Sequence, residues 1–208
     1  MKCFVTGGCG FIGSHIVDAL LDLGHNVVVI DDLSTGKFSN LHKDVEFIQG
    51  SILDYKLVKA VTNGVDWVFH LAAWPRVPRS IEDPLGTHNV NMNGTLNVLQ
   101  ASRENGVEKF IYSSSSSVYG DQSTHIMTEC MTPNPLSPYA LQKLIGEQYA
   151  TLFSKLFGMR IASLRYFNVY GPRQATEGAY VLVIGKFLRM RDAGEPLTVY
   201  GDGKQTRA

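Results

Sequence analysis

Cysteine is scarce: Cys3, Cys9 and Cys130 are the only three in 208 residues. That number is odd, and the spacing matches neither a disulfide framework nor a metal-ligand pattern. The expectation is a reducing compartment, thiols that serve as buried fillers, and no metal. Excess charge is also absent, since 19 Lys and Arg balance 19 Asp and Glu. Nothing in the balance suggests a nucleic-acid or membrane-surface partner, and a small-molecule partner is expected, with local basic groups able to hold an anion. No apolar run approaches the roughly 20 residues of a membrane span, and no charged segment with an apolar core precedes the first strand. The expected location is therefore cytoplasmic. Repeats and low-complexity linkers are missing too; the serine run 113–117 is short and abuts a strand.

What remains is a chain 44% hydrophobic and 18% charged, enough for one packed domain and part of another. Short β-branched runs at 2–6, 26–31, 45–49, 66–73, 108–114 and 159–165 read as strands, several of them apolar throughout, as strands covered on both faces are. Helical patterns lie between them at 13–23, 55–63, 90–105 and 138–157. Strand and helix in alternation predict an α/β fold with a doubly wound parallel sheet. The polar, proline-rich stretch 121–138 is expected to be an ordered excursion over the sheet edge. Beyond Arg165 the pattern changes to a loop, an amphipathic helix over 181–194 and a strand and turn over 196–208.

"TGGCGFIGSH", Thr6 to His15, places glycines at 7, 10 and 13 between the first strand and a helix. The same spacing serves ordinary strand-to-helix turns, but here an acidic residue, Asp31, ends the second strand, 18 residues after Gly13. That is the context of a dinucleotide site. Gly7 allows the tight turn, Gly10 the approach of a pyrophosphate, and Gly13 close packing of the helix, whose N-terminus offers free N–H groups. A carboxylate at Asp31 accepts hydrogen bonds from ribose hydroxyls and repels a ribose phosphate, favouring NAD; Lys37 nearby leaves NADP open. Asp32 reads as a solvated turn residue. "STGK" (34–37) reads either as a wrap around ribose and phosphates or as a plain surface turn.

"SPYALQK" puts Tyr139 and Lys143 one helical turn apart on one face. A phenol is a poor base at neutral pH, but a neighbouring ammonium and a cationic nicotinamide favour the phenolate. Such a pair is also common on solvated helix faces. The serines 113–117, at the end of the fifth strand, could bring a hydroxyl to the same substrate oxygen, since ligands of doubly wound sheets bind beyond the carboxyl ends of strands; they equally suit a strand end that bonds its own backbone.

Together, "TGGCGFIGSH", "HLAA", "SSSSSVYG", "YALQK" and "LRYFNVYGPRQ" resemble the extended short-chain dehydrogenase/reductase family in its NAD-dependent epimerase/dehydratase branch, from residue 2 to about 207. "RVPRSIEDP" (76–84) and "GAY" (178–180) are most similar to UDP-hexose 4-epimerases, particularly those that accept N-acetylated sugars. The resemblance implies a Rossmann-type NAD-binding domain over 1–167 and the start of a smaller C-terminal substrate domain over 168–208. It implies NAD as cofactor, a UDP-sugar as partner, and 4-epimerisation of UDP-glucose/UDP-galactose or their N-acetyl forms through a transient 4-keto sugar. Tyr139 would be the catalytic base, Lys143 its electrostatic partner and nicotinamide-ribose anchor, and Ser115, four residues before the Tyr of "VYG", the hydroxyl that holds the sugar O4. The cofactor would be bound by Gly7, Gly10, Phe11, Ile12 and Gly13, by Asp31, Asp32, Leu33, Ser34, Thr35 and Gly36, by Ser51 and Ile52, by Leu71, Ala72 and Ala73, and by Asn91, Ser113 and Phe167, besides Tyr139 and Lys143. Ser80 and Asn168 would touch the nucleotide sugar. Arg173 would be a diphosphate contact or a solvated loop arginine, and His70 a packed strand histidine. A homodimer through a four-helix bundle of the helices near 90–105 and 138–157 is also implied; Met92, Leu96 and Leu99 share a face there, as core packing would require equally.

The chain departs from the family pattern in three places. Sugar-nucleotide 4,6-dehydratases carry Asp–Glu after the catalytic hydroxyl, and the related decarboxylases share the Glu; here Ser116–Ser117 stand instead, and elimination of water loses its acid/base pair. Ser51–Ile52 replaces Asp–Ile beside the adenine. Finally, the family continues beyond "GDGKQTR", whereas Ala208 closes this chain, so a fragment or shortened protein with an open pocket is expected, one reading of which binds NAD without turnover.

Overall fold

The computed structural model describes residues 1–124, 126–175, 183–199 and 201–204. Its centre is one parallel sheet of six strands: β1 (Lys2–Thr6), β2 (Asn26–Asp31), β3 (Glu46–Gln49), β4 (Trp67–His70), β5 (Lys109–Ser115) and β6 (Arg160–Tyr166), in the order β3-β2-β1-β4-β5-β6. The chain winds outward from β1 in one direction and then, from β4, in the other, so the crevice between β1 and β4 is the point where a doubly wound sheet binds ligands. Thr6 sits in register with Ile30 on one side and His70 on the other, which brings the ends of three strands to one level.

Successive strand residues point to opposite faces, and both faces are covered, hence the uninterrupted apolar runs. Phe4, Val28, Ile30, Val68 and Phe110 pack under helices on one side; Cys3, Val5, Val27 and Val29 pack with Val17 and Leu20 of α1 (Phe11–Asp22) on the other. Cys3 and Cys9 are fillers in that second layer, while Cys130 is exposed.

The helices follow their local signals. In α2 (Tyr55–Val61) the Asp54 carboxylate accepts the Leu57 N–H at 3.1 Å, a capping bond that satisfies a free donor. Two short helices, α3 (Val77–Glu82) and α4 (Pro84–His88), depart from the expected pattern. Pro78 and Pro84 each lie in a first helical turn, where a missing N–H costs nothing. From α4 the chain runs on through a wide π-helical turn, Asn89–Gly94, into α5 (Thr95–Glu104), instead of forming one regular helix over 90–105. Helix α6 (Pro138–Phe157) spans the expected residues: Ser137 caps its start by accepting the Ala140 N–H at 3.1 Å, and Gly158, left-handed at φ 68°, ends it. Within α6, a Cβ at Gly146 would strike the ring end of buried Tyr112, so the missing side chain sets how closely α6 lies on β5.

Of the stretch 121–138, the described residues 121–124 and 126–137 are irregular but tied down, with Asn134 N–H donating to the Val118 carbonyl at 3.0 Å, and Pro138 already belongs to α6. A helix, α7 (Val183–Asp192), lies within the expected 181–194. The strand expected from residue 196 does not form over 196–199, although a turn follows at 201–203. "GAY" at 178–180 lies outside the described residues.

Candidate active site

A cavity of about 640 Å³ opens along the carboxyl ends of β1, β2, β4 and β5. One half is built by the glycine loop. Gly7, at φ +71°, donates its N–H to the Ile30 carbonyl at 2.8 Å, and a Cβ there would sit 2.8 Å from the Ala72 nitrogen. A Cβ at Gly13 would run into the Gly7 carbonyl oxygen. At Gly10 the only neighbour within 4 Å would be that same oxygen, at 3.2 Å; any side chain there would fill the cavity itself. The loop is thus a cradle kept clear for something that approaches backbone, with the α1 N-terminus aimed at it.

Asp31 closes this half. Its Oδ2 accepts the Cys9 N–H and its Oδ1 the Leu33 N–H, both at 2.9 Å, and burial pushes its carboxyl pKa up against the pull of those two bonds. Each oxygen keeps a lone pair for a further donor. A carboxylate so placed suits two ribose hydroxyls and opposes a phosphate, and together with the cradle it fits NAD.

The other half lies where α6 meets the end of β5. Lys143 is buried, its Nζ donates to the Ser113 carbonyl at 2.8 Å, and desolvation lowers its pKa to about 8. Tyr139 sits one turn earlier with its ring centroid 5.9 Å from that Nζ. Burial raises the phenol's pKa, and a hydrogen bond with Ser115 works in the opposite direction. Ser113 presents a buried hydroxyl with no partner among the described residues, on the cavity wall. Behind it, Glu147 accepts from Ser114 and holds Arg165 through two bonds of 2.9 and 2.8 Å, which ties α6 to both β5 and β6.

His70, between the halves, is a structural group. Thr6 Oγ1 accepts the N–H groups of Leu71 and Ala72, both at 3.1 Å; its two acceptor positions are filled, so its own proton goes to His70 Nδ1, 2.7 Å away. The ring proton therefore resides on Nε2 and is donated to Thr95 Oγ1 at 2.9 Å, which in turn donates to the Asn91 carbonyl at 2.6 Å. Burial, with Lys143 adding repulsion, lowers the His70 pKa from 6.5 to about 3. Because the unfolded chain takes up this proton and the folded one does not, stability is expected to fall as pH drops below about 6.5, by about 1.4 kcal/mol per pH unit from this one group. Urea midpoints at pH 7 and pH 5 measure it, and an unchanged slope in His70→Asn would refute the assignment.

Most of the residues singled out in the sequence line this one cavity: Gly7, Gly10, Phe11, Ile12, Gly13, Asp31, Asp32, Ser34, Thr35, Ile52, Leu71, Ala72, Ala73, Ser113, Ser115, Tyr139, Lys143, Phe167, Asn168 and Arg173. Five do not line it. The Asn91 amide is spent on the Trp74 backbone, at 2.8 and 3.2 Å, and on Gln142 at 2.8 Å. Ser80 is fully buried, donates to the Val77 carbonyl and accepts the Tyr139 N–H at 3.0 Å; it seats the Tyr139 backbone and does not face a ligand. Ser51 turns inward to accept the Leu53 N–H at 3.2 Å. Leu33, at φ 59°, packs with the second core layer, and Gly36 lies against Cys9, where a Cβ would be 2.7 Å from its Cβ. Arg173 lines the cavity but its guanidinium pairs with Asp18 of α1, and His15 Nε2 bonds the Pro172 carbonyl at 2.9 Å, so the chain after β6 is strapped to the helix that follows the glycine loop. Trp74, Pro75 and Asn40 line the cavity without having been singled out, signalled only by proximity to "HLAA" and "STGK", and Arg76, the first residue of "RVPRSIEDP", lines it as well.

The fold and this paired site are those of a nicotinamide-dependent sugar-nucleotide enzyme, and the chain belongs to the NAD dependent epimerase/dehydratase family, whose pattern matches residues 3–208. Its cofactor is NAD. It is 40% identical to the UDP-glucose 4-epimerase of Mycolicibacterium smegmatis over all of this chain and 68% of that protein. It is 39% identical to the UDP-N-acetyl-alpha-D-glucosaminuronate decarboxylase of Bacillus cytotoxicus over 99% of this chain and 66% of that one. Among solved structures, the UDP-N-acetylglucosamine 4-epimerase of Methanobrevibacter ruminantium M1, in complex with UDP-N-acetylmuramic acid, superposes with a TM-score of 0.94 at 42% identity, covering 98% of this chain and 66% of that protein. The chain thus spans about two thirds of the length of its relatives. Among the described residues no helix is long and apolar enough to cross a membrane.

Proposed function

We propose that this chain carries the site of a UDP-hexose 4-epimerase acting on UDP-glucose/UDP-galactose or their N-acetyl forms. The observation that carries the reading is the make-up of the reacting end of the cavity. Tyr139, Lys143 and Ser115 converge there, and the carboxylates among the described lining residues, Asp31 and Asp32, belong to the far, ribose-binding half. Dehydration needs an acid and a carboxylate beside the sugar; oxidation and reduction at a carbinol need one base and a hydride acceptor. Bound NAD⁺ would supply that acceptor and give the hydride back. Tyr139, as phenolate, takes the proton of the sugar O4 hydroxyl as C4 is oxidised and returns it as C4 is reduced on its other face. Lys143 supports the phenolate by its charge, and Ser115 holds O4. A hydride that must return requires a cofactor that stays, which the strap from Pro172 and Arg173 to His15 and Asp18 favours.

Residues 1–167 act in this reading as the NAD-binding domain and 168–208 as the start of the substrate domain, with Phe167 beside the nicotinamide and Asn168 toward the sugar. A homodimer through α5 and α6 is part of the proposal, but not through Met92 and Leu99, which lie in the core. Leu141, Leu152, Leu156 and Phe157 are exposed apolar groups on α6 that such a bundle would have to cover. The free thiols fit a cytoplasmic setting.

The test is product analysis with UDP-glucose, UDP-galactose and the N-acetyl pair. The expected result is the C4 epimer, unchanged in mass and with no net NADH. A stable keto or deoxy product, or carbon dioxide from a UDP-uronate, would overturn the reading in favour of a dehydratase or decarboxylase. Calorimetry that finds NAD binding but no UDP-sugar binding would reduce the chain to a cofactor-binding fragment.

A further inference from the structure

Ser115 and Ser117 share a contact with a direction built into it. Ser115 Oγ accepts the Ser117 backbone N–H at 3.2 Å and the Ser117 hydroxyl at 2.9 Å. A serine hydroxyl has two acceptor positions and one proton. Both acceptor positions are taken by Ser117, so the proton that Ser115 carries points away from the turn, toward Tyr139 and the cavity. The turn itself is held from both sides: Ser115 ends β5 in register with Tyr166 of β6, and Gly120, at φ 59°, packs so tightly on the Asn134 carbonyl that no side chain fits.

We infer that Ser117 is a positioning residue for the reaction: by occupying the acceptor side of Ser115, its hydroxyl makes Ser115 a one-way donor whose single proton goes to the Tyr139 oxygen or to the sugar O4, never back to the turn. This rests on the epimerase reading above. It assigns a role to a residue that lies outside the Tyr139, Lys143 and Ser115 cluster, at a position where the dehydratases carry a carboxylate. A carboxylate there could only accept, and would draw the Ser115 proton toward itself. A hydroxyl donates, and leaves that proton for the phenolate.

The chemistry follows in order. Deprotonated Tyr139 is stabilised by a donor that cannot rotate away, since turning Ser115 toward the protein would leave it facing two other donors. The proton that leaves the sugar O4 resides on Tyr139 until C4 is reduced, and Ser115 neither gains nor loses one. Around the phenol, the Lys143 Nζ of α6 lies 5.9 Å from the ring centroid and Tyr112 of β5 interacts with it by charge; Arg76 ahead of α3 and Tyr166 of β6 line the same cavity, and the charges of Glu147 and Arg165 neutralise each other one layer behind.

Ser117→Ala and Ser117→Thr, read against pH in the full chain with NAD bound, form the experiment. Removing the hydroxyl frees an acceptor position on Ser115 and lets its proton turn from Tyr139. The acid limb of the kcat/KM profile, set by deprotonation of Tyr139, should move up by about one pH unit, a loss of about tenfold below the limb and little above it. Ser117→Thr keeps the donor and should restore the profile. The same shift should show in the absorbance titration of the phenolate, with Tyr139→Phe as the blank, a readout that needs no turnover. An unmoved limb and titration in Ser117→Ala, or a threonine variant that behaves like alanine, overturns the inference. If Tyr139→Phe is fully active the epimerase reading has failed; if it is inactive while Ser117→Ala leaves the pH dependence unchanged, only the role of Ser117 has failed.

Discussion

Tyr139→Phe is expected to lower epimerase turnover by about 10²- to 10⁴-fold, the usual worth of a positioned general acid–base group, and to leave NAD binding and thermal stability close to those of the unaltered chain. The reason is local. Phenylalanine keeps the ring that packs beside Lys143, and the backbone N–H that Ser80 accepts at 3.0 Å is untouched. What disappears is one buried oxygen at the end of a cavity where the neighbouring hydroxyl, Ser115, has both acceptor positions filled by Ser117. Two basic neighbours do not take over the proton: Lys143 is spent on the Ser113 carbonyl, and His70, which burial keeps neutral, holds its Nδ1 against Thr6 and its Nε2 against Thr95. Undiminished epimerisation in the variant, measured by chromatography of the UDP-sugars, would remove Tyr139 from the mechanism.

Gly13→Ala should act on cofactor and fold together. The added methyl group would meet the Gly7 carbonyl oxygen, the Gly8 Cα at 2.9 Å and the Gly7 carbonyl carbon at 3.0 Å. All three are backbone, so nothing can rotate aside. The α1 N-terminus has to lift off the loop, at a cost of about 3 kcal/mol, the upper end for overpacking. NAD affinity should fall by about a hundredfold, the equivalent of two charge-assisted hydrogen bonds from loop N–H groups lost at about 1.5 kcal/mol each. Gly10→Ala separates the two effects. Its methyl group would have one protein neighbour, at 3.2 Å, and otherwise project into the cavity. Thermal denaturation should then be near normal while calorimetric NAD binding is lost. A Gly13→Ala variant with unchanged melting and unchanged NAD affinity would contradict the packing described for the loop.

The two variants differ in how visible their targets were in the amino-acid sequence. The glycine loop was legible because strand, turn and helix are neighbours along the chain, and because Asp31 follows at the distance one helix and one strand impose. The strands were legible for a related reason: residues covered on both faces of a sheet have to be apolar at every position, as Cys3 to Val5 and Val27 to Ile30 are. Helix α6 carried its own punctuation in Ser137, Pro138 and Gly158. Where local chemistry has two meanings, sequence reasoning failed. Pro78 and Pro84 break a helix in its interior but open one in its first turn, so α3 and α4 were missed. The widening at Asn89–Gly94 left no mark on a pattern that otherwise reads as a regular helix.

The sequence by itself therefore determined the sheet, the dinucleotide loop and the placing of Tyr139 and Lys143 on one helix face, because each depends on spacing within one or two elements; the choice of Ser115 among the serines 113–117 came from the family resemblance alone. Only the tertiary structure decided what each polar group is spent on, because a hydrogen bond has one geometry and its partner can lie anywhere in the chain. Asn91 was claimed by Gln142, 51 residues away, and Ser80 by the Tyr139 backbone, 59 away. Arg173 paired with Asp18, 155 residues away. Ser115 and Ser117 are nearly adjacent, yet the direction of the proton between them depends on a turn clamped against β6 and Asn134, and no local pattern records it.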